Sequence, residues 1–185
     1  MKKVRLIVAA ALVSSVSVAF ASDLYVAASI GQSDFGSVDG ATSTDKNGTA
    51  FKLQLGYQFN PNWAIEGGYV SLGKASYSGP TIGSFKVKAS GFNIGAVGTI
   101  PLNDKFSLFG KLGMIDGKVE ITDATVCCNG SATKWRPTYG FGVKYDVSKT
   151  LGILAEYERF DKLGDNNVTG TGSVNLLSAG VLSRF

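Results

Sequence analysis

A chain of 185 residues with 24 glycines, no histidine and a formal charge of +4 has the size of one ordinary domain. Lys2, Lys3 and Arg5 account for most of that excess, so the remainder is close to neutral and the pI of 9.0 gives no basic footprint for nucleic acid. Mean hydropathy is only +0.14, and no apolar run reaches the ~20 residues of a spanning helix, so a membrane crossing would need a closed barrel.

The chain opens on a charged stretch, Met1 to Arg5, followed by an apolar run from Leu6 to Val13 and the small-residue pattern Ala19, Phe20, Ala21. These are the parts of a secretory signal peptide, with cleavage expected after Ala21. Residues 1–21 are therefore assigned to the signal and residues 22–185 to a single exported domain. No cysteine follows the cleavage pattern, and no lipid anchor is expected.

Beyond the signal, aromatic and β-branched residues recur at every second position between turn clusters, which is the period of a strand. The first candidate, 24–32, sets Leu24, Val26, Ala28 and Ile30 on one face. The second alternates Phe51, Leu53, Leu55, Tyr57 and Phe59 with Lys52, Gln54, Gly56 and Gln58. In the third, Trp63, Ile65, Gly67 and Tyr69 oppose Ala64, Glu66 and Gly68; in the fourth, Phe92, Ile94, Ala96, Gly98 and Ile100 oppose Asn93, Gly95, Val97 and Thr99. Phe106, Leu108, Gly110, Leu112 and Met114 then oppose Ser107, Phe109, Lys111 and Gly113. Tyr139, Phe141, Val143 and Tyr145 oppose Gly140, Gly142 and Lys144, and Leu151, Ile153, Ala155 and Tyr157 oppose Gly152, Leu154, Glu156 and Glu158. The last candidate, 174–185, carries Leu177, Ala179, Val181 and Phe185 on its apolar face.

Eight candidates and no helix predict an all-β chain whose even strand count lets an up-and-down barrel close. Connections at 60–62, 101–105 and 146–150 are tight. Those at 33–48, 73–85, 116–134 and 159–173 are longer and polar, and are expected to be loops. Short and long alternate regularly, as in a transmembrane barrel with a turn end and a loop end. The fold expected is an eight-stranded antiparallel up-and-down transmembrane β-barrel.

Period two alone does not say which parity faces out, and a soluble periplasmic ligand-binding barrel is the rival. Three features favour apolar residues outside. Phe51, Tyr57, Phe59, Trp63, Tyr69, Phe106 and Tyr157 sit near the ends of the apolar parity, where interfacial aromatic girdles belong. The opposite parity is rich in glycine and small polar residues that suit a narrow lumen. The strand 51–59 matches the ~9–11 residues of a tilted membrane strand.

The inward parity gathers a candidate lumen ion network: Lys52, Lys111 and Lys144 against Glu66, Glu156 and Glu158. Confined charges must pair, which makes the network structural. The competing role is a narrow ion or small-solute channel with these groups as its filter. Catalysis is not expected, since a Ser or Thr nucleophile would lack a histidine base. Cys127 and Cys128 are adjacent in a long polar connection; in an oxidising compartment a disulfide is expected, vicinal or with another molecule, with free thiols as the alternative. No metal site and no cofactor are expected.

The stretches Leu24-Tyr25-Val26-Ala27-Ala28-Ser29-Ile30-Gly31, Leu55-Gly56-Tyr57-Gln58-Phe59-Asn60-Pro61, Glu66-Gly67-Gly68-Tyr69, Leu154-Ala155-Glu156-Tyr157 and Ser178-Ala179-Gly180-Val181-Leu182-Ser183-Arg184-Phe185 together resemble the OmpA-like transmembrane-barrel family. The resemblance runs over the whole exported domain and lies in the ordered series rather than in one motif. It implies a Gram-negative outer-membrane location, both termini periplasmic, and a structural or surface-interaction role through four external loops. The implied partners are outer-membrane lipids, the barrel-assembly machinery, with Phe185 as a C-terminal assembly signal, and an unknown extracellular partner of the loops. Val97 and Leu154 are apolar where some members carry basic groups, so a gating switch does not carry over. The peptidoglycan-binding domain of larger members has no counterpart before Phe185, so no wall-tethering role is expected.

Overall fold

The computed structural model describes residues 23–36, 43–45, 47–79, 83–123, 130–165 and 170–185. The signal-peptide cleavage after Ala21 and the Cys127–Cys128 pair lie outside the described residues.

The described strands are β1 (Leu24–Asp34), β2 (Ser43–Asp45), β3 (Asn47–Asn60), β4 (Trp63–Gly79), β5 (Gly83–Pro101), β6 (Phe106–Asp123), β7 (Gly130–Asp146), β8 (Leu151–Asp165) and β9 (Gly170–Arg184). Apart from the three-residue β2, each pairs antiparallel with its neighbours in sequence, and β1 pairs with β9 in the register Val26↔Ser183, Ala28↔Val181, Ile30↔Ala179. The result is the eight-stranded closed up-and-down barrel that the alternation predicts. Closure removes both sheet edges and satisfies the backbone without water. β2 pairs with β4 at Thr44↔Tyr77, on the side of β4 that β3 occupies lower down.

The tight turns are built by side chains that take up free backbone donors. Asn60 Oδ1 accepts from the Asn62 and Trp63 amides at 2.9 and 3.0 Å, Asn103 Oδ1 from the Lys105 and Phe106 amides at 3.0 and 2.8 Å. Ser148 Oγ accepts from the Thr150 and Leu151 amides in the third turn. Such Asx and Ser turns are local alternatives to the ladder and therefore end it.

The apolar parity faces outward through the middle of the barrel: Leu55 is 58 % exposed and Leu112 71 %, whereas Lys52 and Gln54 are 3 % exposed. Two outward aromatic rows bound this belt. Near the tight turns lie Tyr57, Phe59, Trp63, Phe106 and Tyr145, with Phe106 and Tyr145 ring centroids 4.8 Å apart. At the other side lie Phe51, Tyr69, Phe92 and Trp135, with Tyr69 5.3 Å from Phe92. From Trp135 to Tyr145, a rise of ~3.4 Å per residue and a tilt of ~40° carry β7 roughly 26 Å along the axis, the height of an outer-membrane hydrocarbon band.

The strands do not stop there. The polar connections expected at 73–85 and 116–134 are largely continued ladder: Lys74↔Lys88 and Ala75↔Val87 join β4 to β5, and Lys118↔Thr133 and Val119↔Ala132 join β6 to β7. β8 and β9 likewise pair as far as Asp165↔Gly170, correcting the loop expected at 159–173. Beyond the aromatic row the sides exchange roles, with small or apolar residues inside and polar ones outside. There the ladder meets water rather than lipid, so its exterior reads as polar loop. Two bulges adjust the parity. One falls between Ser71 and Gly73, where Gly73 has φ +79°; the other lies between Phe160 and Leu163, with Lys162 at φ +50°.

Candidate functional site

The inward parity of β3, β4, β6 and β8 converges on the barrel axis because these strands stand around the ring from one another, β4 facing β8. Lys52 of β3 places Nζ 2.7 Å from Glu158 Oε2 and 2.9 Å from Glu156 Oε2. Lys111 of β6 places Nζ 2.6 Å from Glu66 Oε1 and 3.2 Å from the same Glu156 oxygen. Glu156 therefore joins the two lysines, and the cluster ties four strands together across the lumen. Lys111 also lies 5.4 Å from the centroid of the Phe109 ring.

Five of the six candidate ions are brought together: Lys52, Glu66, Lys111, Glu156 and Glu158. Lys144 is not among them. Its Nζ is 3.7 Å from Asp146 Oδ2, and Asp146 also accepts from Arg184 Nη2 at 3.0 Å, a separate pair of contacts near the tight turns. Two residues beyond the level of Glu156, Lys144 is closer to the acid at its own strand end than to the axial cluster, which corrects its place in the network.

One member escaped the sequence argument. Tyr25 Oη donates to Glu66 Oε2 at 3.0 Å, so both Glu66 oxygens are engaged. Tyr25 sits on the inward parity of β1, and its hydroxyl, unlike the inward rings of Phe109 and Phe160, can reach an acid there. Gln54 Nε2 donates to Asn93 Oδ1 at 3.1 Å and continues the polar layer toward β5.

Apolar side chains cover this layer on both sides. Toward the tight turns lie Ala27, Ala64, Val97, Phe109, Leu154 and Leu182. Toward the long-strand end lies a larger cluster with Leu72, Ile115 and Phe160 fully buried, packed with Val70, Leu163 and Leu176. The lumen cavities beside the cluster are small, about 40 Å³ between Tyr25, Glu66, Lys111 and Lys144 and about 10 Å³ between Glu66, Asn93 and Glu158. They have room for a few waters at most. Among the described residues, no group of three or more His, Cys, Asp or Glu side chains gathers as metal ligands.

Phe185, the expected assembly signal, directly follows the strand that closes the ring. Its amide donates to Leu24 O at 3.1 Å, and its ring is outward and 38 % exposed.

A closed barrel with an apolar belt between aromatic rows and a packed ionic lumen defines a small outer-membrane barrel. The chain belongs to the outer membrane protein β-barrel domain family, whose model matches residues 6–185. It is 32 % identical over 199 residues to outer membrane protein A of Shigella flexneri, covering 100 % of this chain and 56 % of that protein. The chain thus spans about half the length of that relative. Among solved structures, the neisserial surface protein A barrel superposes with a TM-score of 0.65 at 16 % identity, covering 88 % of this chain and 97 % of that one. Ail, the attachment invasion locus protein of Yersinia pestis, in complex with the heparin analogue sucrose octasulfate, superposes with a TM-score of 0.56 at 24 % identity, over 88 % of this chain and 97 % of the other. These likenesses are ones of fold.

Proposed function

We propose that this outer-membrane protein works as a rigid, non-conducting and non-catalytic frame that carries its long-strand end to the cell surface for contact with extracellular partners. In this reading residues 1–21 are removed on export, the tight turns and both termini face the periplasm, and the strand β9 with Phe185 is what the barrel-assembly machinery engages. The observation that carries it is the lumen: two lysines and three glutamates are tied to one another across the axis, each lysine held by two carboxylates, and are then buried under Leu72, Ile115 and Phe160. Ions in a conducting path need binding that is strong enough to enter and weak enough to leave. Lysines held at 2.6–2.9 Å by buried carboxylates instead serve as cross-braces. The paired ladder beyond the belt makes that end stiff, a property of use to a surface that presents binding groups.

Planar-bilayer conductance and urea unfolding of the same purified protein and its Glu66→Gln variant test this. The variant removes the carboxylate shared by Lys111 and Tyr25 while Glu156 still faces Lys111, so a loss of about 2–3 kcal/mol is expected, with no steady current from either protein. An ion-selective current in the wild type, abolished by the variant at unchanged stability, would establish a channel instead.

A further inference from the structure

Outward charge is unevenly shared beyond the second aromatic row. On the outward face of β8 the one close pair is Arg159 with Asp161 at 3.6 Å, while Lys134 and Arg136 of β7 stand on the inward parity and are held there by Asp165 and Gly164 O. On the outward face of β4 to β6 lysines outnumber the acids that reach them. Lys74 and Lys88 stand directly opposite each other in the ladder, both exposed, with Lys86 one outward step further along β5 and Lys118 opposite Ser90 on β6. Like charges facing across a strand pair destabilise it.

Among the residues whose side chains are described, acids on this wall are few. Glu120 serves two lysines, with Lys118 at 2.7 Å and Lys88 at 3.8 Å. The hydrogen bond and charge of Lys118 hold its carboxyl below the usual carboxylate range, so Glu120 is already committed as an anion. Asp116 sits a row lower, level with Phe92. Lys74 and Lys86 have no ion-pair partner among the described residues.

Height completes the argument. Phe92 and Tyr69 mark the edge of the belt, Lys118 lies two residues above that row, and Lys74 and Lys88 two residues higher again. At ~3.4 Å per residue and a tilt of ~40° the lysines begin roughly 5 Å beyond the rings, and Lys74 and Lys88 lie roughly 10 Å beyond them, at headgroup depth. The lysines face sideways at the level of the headgroups, on the same outward parity as the belt.

We propose that this wall, Lys74, Lys86, Lys88 and Lys118, is a binding site for the phosphate groups of a phosphorylated lipid in the outer leaflet. The acyl chains lie along the belt of Phe92 and Met114, and the phosphates bridge lysines that would otherwise repel. The assignment rests on the proposed orientation, with the long-strand end outside. A sulfated polysaccharide is the other polyanion to consider. The lateral aspect of the lysines, continuous with the belt, favours the lipid.

The test uses the full exported chain refolded into phosphatidylcholine vesicles with or without bis-phosphorylated lipid A, and a Lys74→Gln/Lys88→Gln variant. In phosphatidylcholine alone the variant should unfold at equal or higher urea than wild type, because a repulsive pair is gone. With lipid A the order should reverse, and labelled lipid A should bind the variant on the order of tenfold more weakly, in a salt-dependent manner. Dephosphorylated lipid A should restore the first order. A variant that binds lipid A as wild type does, or the same response to dephosphorylated lipid A, would overturn the site. So would loss of sucrose octasulfate binding alone with lipid A binding intact, which would assign the wall to a polysaccharide. Orientation is read separately by labelling Ser76→Cys, with Cys127 and Cys128 replaced by Ser, in whole cells with an impermeant maleimide. Failure to label with the lipid A effect intact would reverse the orientation but leave the phosphate chemistry standing.

Discussion

Within one wall of this barrel, β3 from Phe51 to Phe59 turns its apolar residues outward and Lys52 and Gln54 inward, while β4 from Lys74 to Tyr77 does the opposite. Both stretches are ladder with the same period, and they differ in what surrounds them. Lipid outside rewards an apolar exterior and leaves the narrow interior to paired ions and glycine. Water outside rewards a polar exterior, and the interior then closes as a conventional apolar core around Leu72, Ile115 and Phe160. The hydrophobic pattern therefore reports the solvent of each segment as much as its secondary structure.

The largest expected effect comes from treating the second region as loop or as core. Phe160 is fully buried in the cluster above the ions, and Phe160→Ala should cost about 3–5 kcal/mol in urea unfolding from vesicles. A cost below ~1 kcal/mol would mean that residues 159–173 behave as the loop their polarity suggests.

The exterior gives the next contrast. Leu55 is exposed in mid-belt, where arginine costs about 2–4 kcal/mol, whereas Ser76 is exposed beyond the aromatic row and Ser76→Arg should stay within ~0.5 kcal/mol. Equal penalties at the two sites would place the membrane edge elsewhere than the Tyr69–Phe92 row.

Much of this arrangement was legible in the residues. The two faces of all eight barrel strands follow from alternation, and the terminal aromatics and the glycine-rich opposite parity say which is outward; the three tight turns are legible because Asn60, Asn103 and Ser148 carry a local mechanism. Lys52, Glu66, Lys111, Glu156 and Glu158 could be nominated since charges on a lumen parity have nowhere else to go. Which of them touch could not, because strand register around a ring decides that, and Lys144 was drawn to Asp146. The extension was missed for a physical reason: Lys-Ala-Ser-Tyr-Ser and Lys-Val-Glu-Ile-Thr keep period two, but with the polar residues outside and small apolar ones inside, they resemble loop when the exterior is assumed to be lipid. Tyr25 lies on the inward parity of the first strand, but the acid that its hydroxyl reaches is on β4, and that partner is set by register around the ring rather than by local sequence.

The smallest effects concern the two bulges that let the extension keep its apolar side inward. Gly73 and Lys162 both have left-handed backbones, at φ +79° and +50°. At Gly73 a Cβ would stand 2.5 Å from the carbonyl oxygen of Thr49, so Gly73→Ala meets both an unfavourable conformation and a backbone atom that cannot step aside. A loss of about 1–3 kcal/mol is expected. Lys162 already carries the conformational cost, of order 1 kcal/mol for a side chain in that region. Replacing it with glycine removes that cost while adding a comparable entropy to the unfolded chain, so Lys162→Gly should fall within ~0.5 kcal/mol of wild type. Lys162→Val, whose branched side chain tolerates positive φ poorly, should lose about 1–2 kcal/mol. Urea midpoints of the three variants in one vesicle composition decide the matter. If Lys162→Gly lost as much as Lys162→Val, the lysine side chain rather than its backbone would be what holds the second bulge.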